Sequence, residues 1–225
     1  GAWTDYFSEL IRAAEAVGIL VMRSGIVGSN THRKLQVSEF RGFAISDELA
    51  PVIFINSSDA DTARLFTLIH ELAHIWIGKS GISNGSHNQN AEEEVYCNRV
   101  AGEFLVPTAI FRQLWDDELG LRPNLAPIAA RFHVSKLVVV RKALDSGYIT
   151  NDEYREYYTT ELEAFRNRGG SGGNYYASTG AKNSTKFSSA VVTEALSGRL
   201  LLRDAGGLLG ISPSSIKTYA RKLSL

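Results

Sequence analysis

With 225 residues, 44% of them hydrophobic, the chain can form one large domain or two small ones around a sizeable core. Lys plus Arg number 24 and Asp plus Glu 24, a net charge of zero that argues against DNA or an anionic membrane as partner, although a local patch survives such an average. A single cysteine, Cys97, excludes an internal disulfide and fits a reducing, cytoplasmic setting, and no apolar run approaches the length of a bilayer crossing.

Residues 4–17 form an amphipathic pattern capped by Thr4 and stopped at Gly18, which predicts a helix. Residues 19–22 predict a short strand and 25–34 a polar loop. Residues 40–45 and 51–55 predict two strands. Val52-Ile53-Phe54-Ile55 is apolar throughout, so its strand is expected to be covered on both faces. A helix is predicted over 60–77, with Ser58 and Asp61 as a Ser-x-x-Asp cap and Gly78 as its stop. The loop 78–90 is rich in Gly, Ser and Asn and contains His87. A second helix is predicted over 91–106, ended by Pro107. Helices are also predicted over 108–117, 125–132, 135–146 and 151–166. Residues 168–174, with Gly169-Gly170-Ser171-Gly172-Gly173, read as a flexible linker. Beyond them, 186–196, 200–209 and 213–223 are helical in pattern. The expected fold class is α+β. Residues 1–167 form one domain, 168–174 a linker, and 175–225 a helical C-terminal region.

The chemistry is concentrated in Leu68-Ile69-His70-Glu71-Leu72-Ala73-His74-Ile75-Trp76-Ile77. Only His70, Glu71 and His74 are polar in this run, and a helix so apolar on all sides should be buried. Three buried ionisable groups need partners. His70 and His74, four apart, share one helix face and aim both imidazoles at one point, an arrangement that suits zinc. Glu71, one step round the helix, stands beside such a metal and can take a proton from water there. This is the H-E-x-x-H pattern of zinc peptidases.

Catalytic zinc normally takes three protein ligands. Downstream candidates are Glu92, Glu93, Glu94, Cys97 and His87. The second helix has an apolar face of Cys97, Val100, Ala101, Phe104 and Leu105; Glu94 lies on one edge of it and Glu93 on the other, while Glu92 points away. Spacing leaves Glu94 and Glu93 both open. Cys97 reads as a small buried hydrophobe. His87 is a candidate for stabilising an oxyanion or touching substrate.

The sequence Phe66-Thr67-Leu68-Ile69-His70-Glu71-Leu72-Ala73-His74, followed by Glu94-Val95-Tyr96-Cys97-Asn98-Arg99-Val100-Ala101-Gly102-Glu103-Phe104-Leu105-Val106-Pro107, resembles the ImmA/IrrE family of metallopeptidases. The resemblance extends to Phe40-Arg41-Gly42-Phe43-Ala44, residues 51–56 and Phe132-His133-Val134-Ser135. It implies a zincin-like domain with zinc held by His70, His74 and Glu94. The glutamate four residues before the asparagine is the family's third ligand, which selects Glu94 over Glu93. Asn98 is then expected to orient Glu94. Cys97 and Gly102 stand where alanine is common.

Two segments look like helix-turn-helix units. One is 125–149, with Lys136, Arg141 and Lys142 as its exposed cations. The other is 203–223, with Lys217, Arg221 and Lys222 on its second helix. Zero net charge argues for packing roles in both. The resulting expectation is a zinc-dependent endopeptidase with Glu71 as general base. By resemblance, its substrate is a specific regulatory protein, a helix-turn-helix repressor or antitoxin of a stress-response, prophage or mobile-element system. The alternative is a DNA- or antitoxin-binding regulator whose metal site is structural.

Overall fold

The computed structural model describes residues 3–27, 30–83, 91–167 and 182–225. Helix α1 (Trp3–Ala16) ends just before Gly18, whose φ of +102° is left-handed and so favours glycine. The chain turns there into β1 (Leu20–Ser24). Next come β2 (Ile26–Val27) and β3 (Asn30–Lys34), paired antiparallel where a polar loop was expected. Asn30-Thr31-His32-Arg33-Lys34 has no apolar alternation, so pattern reading finds no strand in it.

Strands β4 (Gly42–Ile45), β5 (Val52–Asn56) and β6 (Gly81–Ser83) join β1 in one sheet of order β1-β5-β4-β6. β1 runs parallel to β5, and β4 is antiparallel to both its neighbours. The apolar strand β5 is interior, with Ile53 and Ile55 fully buried. The edge next to β4 is β6. On the opposite edge, the Arg23 N–H of β1 donates to the Lys182 carbonyl at 2.9 Å.

Helix α2 (Asp61–Trp76) lies across β4 and β5 and against α3 (Ala91–Leu105). Leu65, Leu68 and Ile69 of α2 share a core with Val21, Ile53, Ile55, Ala101 and Leu105. Each fully buried aliphatic side chain there stabilises the fold by roughly 1.5–3 kcal/mol. The predicted Ser58/Asp61 cap does not form: the N-cap is Ala60, without a side-chain cap bond. Asp59 Oδ1 instead accepts the Ala60 N–H at 2.8 Å, and the Ser58 hydroxyl donates to the Gly25 carbonyl. The other end stops as expected. Gly78 takes φ +70°, its N–H donates to Ile75 O, and the Lys79 N–H donates to His74 O, the Schellman pattern. His74 therefore sits in the last turn of α2. Trp76, two residues later, is 89% exposed, so the apolar run is not buried to its end.

Helices α4 (Thr108–Leu114), α5 (Leu121–Phe132), α6 (Lys136–Asp145) and α7 (Asn151–Asn167) complete the first core. α5 begins four residues earlier than its pattern predicts. In the 125–149 segment, Lys142 was expected to be exposed; it is buried and ion-paired with Glu103 of α3. Arg141 pairs with Asp145 and lies over the Tyr154 ring. Val139, Val140 and Ala143 are fully buried, so α6 is core.

The glycine-rich linker at 168–174 lies outside the described residues. From 182 onward the chain forms α8 (Thr185–Leu196), α9 (Leu202–Leu209), a 3-10 turn (Pro213–Ser215) and α10 (Ile216–Lys222). These helices enclose their own apolar cluster of Val191, Val192, Ala195, Ala205, Leu209, Ile216 and Ala220. The unit is anchored to the first core where the Ser184 N–H meets Met22 Sδ and the Thr185 N–H donates to Glu15 Oε1. No described helix is long and apolar enough to cross a membrane.

Candidate metal centre

The four-residue spacing on α2 does what helix geometry dictates. His70 Nε2 and His74 Nε2 approach to 3.1 Å, and both residues are buried. Helix α3 brings up Glu94 so that Oε2 is 3.2 Å from His70 Nε2 and Oε1 is 3.2 Å from His74 Nε2. One donor atom from each of the three residues falls within 4.8 Å of the others. Only one imidazole nitrogen can donate to the other across the 3.1 Å contact. A cation receives lone pairs from both at once, so this nitrogen–oxygen donor set fits zinc. It is also a set of three protein donors among the described residues, the number characteristic of catalytic sites.

The electrostatics favour the ligating protonation states. Burial, then the neighbouring His70, hold the His74 pKa below its ordinary value, against the pull of Glu94. A neutral imidazole is what a metal requires. The Glu94 carboxyl is lowered by its hydrogen bond with His70 and by the charges of His70 and His74, against the cost of burial.

Glu71 is fully buried beside the pair. Its neighbourhood depends on two glycines that pattern reading did not single out as functional. A Cβ on Gly42 would lie 2.5 Å from Thr67 Cγ2, 2.8 Å from the Phe54 carbonyl and 3.2 Å from Glu71 Oε1. A Cβ on Gly81 would lie 3.1 Å from His74 Cε1. Glycine within a strand signals this kind of close approach, and that was the available clue. Asn56 fixes the entry to β4: its amide donates to the Phe40 carbonyl, its N–H donates to Arg41 O, and its side-chain oxygen accepts the Ser58 N–H. Arg41 closes the arrangement with an ion pair to Asp59 at 2.8 Å.

Of the other candidates, Glu92 is exposed and Glu93 faces Lys79 at 3.6 Å. Cys97 is fully buried, and burial together with Glu94, Glu71 and Glu93 pushes its thiol up to about 11. It is a packed thiol outside the ligand cluster. Asn98, expected to orient Glu94, is exposed. Phe104, expected on the buried face of α3, is 52% exposed. His87 lies outside the described residues.

Two family models match parts of the chain. The family model of the IrrE N-terminal-like domain, peptidase M78, matches residues 14–144. A second model, a domain of unknown function (DUF8813), matches residues 183–222. No curated protein matches the chain.

Proposed function

Since the chain belongs to the IrrE N-terminal-like peptidase family, we propose that it is a zinc-dependent endopeptidase that cuts a specific regulatory protein. The observation that carries this reading is the convergence of His70, His74 and Glu94 beside the buried Glu71. His70, His74 and Glu94 are the proposed ligands. Zinc bound there would supply a Lewis acid that polarises the scissile carbonyl and makes water acidic enough to lose a proton near neutral pH. Glu71 would take that proton as general base and deliver it to the leaving amine. Gly42 lets β4 pack against the Glu71 carboxylate, where a Cβ would lie 3.2 Å from Oε1.

The sheet supports one mode of substrate alignment. β6 is the edge strand next to β4, and its Gly81 backbone rests against the His74 ring. An extended peptide added to that edge would run past the metal ligands. Strand addition requires a flexible or locally unfolded segment, which restricts cleavage to partners that present one. By its likeness to the ImmA/IrrE family, the substrate is proposed to be a repressor or antitoxin of a stress-response, prophage or mobile-element system.

The test is incubation of the zinc-loaded chain with purified regulators encoded beside its gene, read by intact-mass spectrometry. One cut in one regulator is expected, absent with Glu71→Gln. Cleavage by Glu71→Gln at the wild-type rate would overturn the mechanism. Rapid many-site digestion of casein would overturn the narrow specificity.

A further inference from the structure

The zero net charge of the chain conceals a division. Residues 182–225 carry seven Lys and Arg against two Asp and Glu, and the remaining residues carry 17 against 22. Both acids of the C-terminal unit are occupied within it: Glu194 binds Arg199 through two hydrogen bonds, and Asp204 pairs with Arg203. Lys217, Arg221 and Lys222 on α10 are exposed, and none has a carboxylate within ion-pair range among the described residues.

The backbone arranges that charge in a specific way. α9 ends at Gly210, which takes φ +69°, and the Ile211 N–H donates back to Gly206 O. Three residues, Gly210-Ile211-Ser212, separate α9 from the helical run that begins at Pro213. The turn folds back so closely on α9 that a Cβ on Gly206 would lie 2.8 Å from the Ile211 carbonyl. Ala205 and Leu209 of α9 and Ile216 and Ala220 of α10 are buried against α8. That leaves Lys217, Thr218 and Arg221 on the outer face of α10, with Lys217 and Arg221 four residues apart and Ser214 exposed in the 3-10 turn before them. A helix, a short glycine turn, and a second helix with a polar, cationic outer face are the shape that enters the DNA major groove.

We propose that residues 182–225 are a duplex-DNA-binding helix-turn-helix unit, with α10 as the helix that lies in the major groove. Lys217 and Arg221, one turn apart, are placed to contact base edges or phosphates, and Lys222 the adjoining backbone. The earlier segment of similar shape cannot do this, because its second helix spends Lys142 on Glu103 and Arg141 on Asp145. This inference does not rest on the peptidase reading: it stands on the C-terminal unit alone.

The test is fluorescence anisotropy of a labelled random-sequence 30-base-pair duplex titrated with the full chain between 50 and 200 mM salt. Binding is expected, with a dissociation constant on the order of micromolar at low salt and a log–log salt slope of several units. The double variant Lys217→Ala/Arg221→Ala should lower that slope by about 2. Lys136→Ala, on the exposed side of α6, should leave it unchanged. Circular dichroism of each variant establishes that it is folded. Absence of duplex binding at 50 mM salt would overturn the proposal, as would binding that the double variant leaves intact. Tighter binding of a 20-nucleotide single-stranded RNA than of the duplex would also overturn it. So would a duplex-inactive chain whose double variant loses only the cleavage of its regulator, since α10 would then be a protein-docking face.

Discussion

Residues 3–167 and 182–225 handle charge in opposite ways. The first region buries Asp59, His70, Glu71, His74 and Lys142, each a cost in desolvation that only specific partners offset. The second buries no ionisable group among its described residues; Ser184 and Ser188 are its buried polar side chains. Its charges all stand outside an apolar interior. Buried charge marks where the protein does chemistry or fixes a helix, while exposed charge of one sign marks where it meets a partner. Variants in the two regions should therefore fail differently.

The largest expected effect is at Glu71. Glu71→Gln should retain zinc and fold while cleavage of a verified substrate falls by roughly 100- to 10,000-fold, the usual contribution of a general base. A comparable fold-change from any single Lys or Arg substitution in residues 182–225 would blur the distinction between the regions. Next is the pair on α3. Glu94→Ala should weaken zinc by more than the 10- to 100-fold typical of outer-shell changes, and Glu93→Ala by less. Zinc titration of both variants decides it, and equal weakening would remove Glu94 from the ligand set.

The two helix-turn-helix-like segments allow a sharper contrast. Lys142→Ala breaks a pair whose lysine side chain is 8% exposed and whose glutamate is 56% exposed. Because Glu103 can rehydrate, the loss should be about 1–2 kcal/mol rather than the 3–5 of a fully buried pair. Lys217→Ala should change stability by less than about 0.5 kcal/mol. Urea unfolding measures both, and equal effects would erase the contrast. The smallest effect is in acid. Burial opposes ionisation of Glu103, but hydrogen bonds from Lys142 and Thr108 prevail and lower its carboxyl to about 2. That folded value is below the unfolded one of about 4.3, so the stabilisation is present above it and is lost as pH falls towards 2. Glu103→Gln should flatten the unfolding midpoint over that range relative to wild type.

These residues also show what was legible in the sequence. His70, Glu71 and His74 could be read directly, because helical periodicity converts a spacing of four into convergence. Glu94 could not be separated from Glu93 by spacing, since both flank one face of α3; only the family pattern chose it. Asn98, expected to orient Glu94, is exposed, and position along a helix alone does not say which way a side chain turns. The expected α2 cap is absent because the helix starts at Asp61 with Ala60 at the N-cap, while the Ser58 hydroxyl donates to the Gly25 carbonyl, 33 residues away in sequence. The β2–β3 ribbon was hidden by a polar sequence. The cations of the C-terminal unit could be read, but they were set against a whole-chain charge of zero, which is also what two opposed regions produce.

Zinc K-edge X-ray absorption of the metal-loaded chain separates a nitrogen–oxygen site from a thiolate site. One zinc per chain is expected, with about four nitrogen and oxygen neighbours at about 2.0–2.2 Å and no sulfur. The signal should be lost or reduced in coordination in Glu94→Ala and unchanged in Cys97→Ala. A sulfur neighbour at about 2.3 Å, abolished by Cys97→Ala, would contradict it.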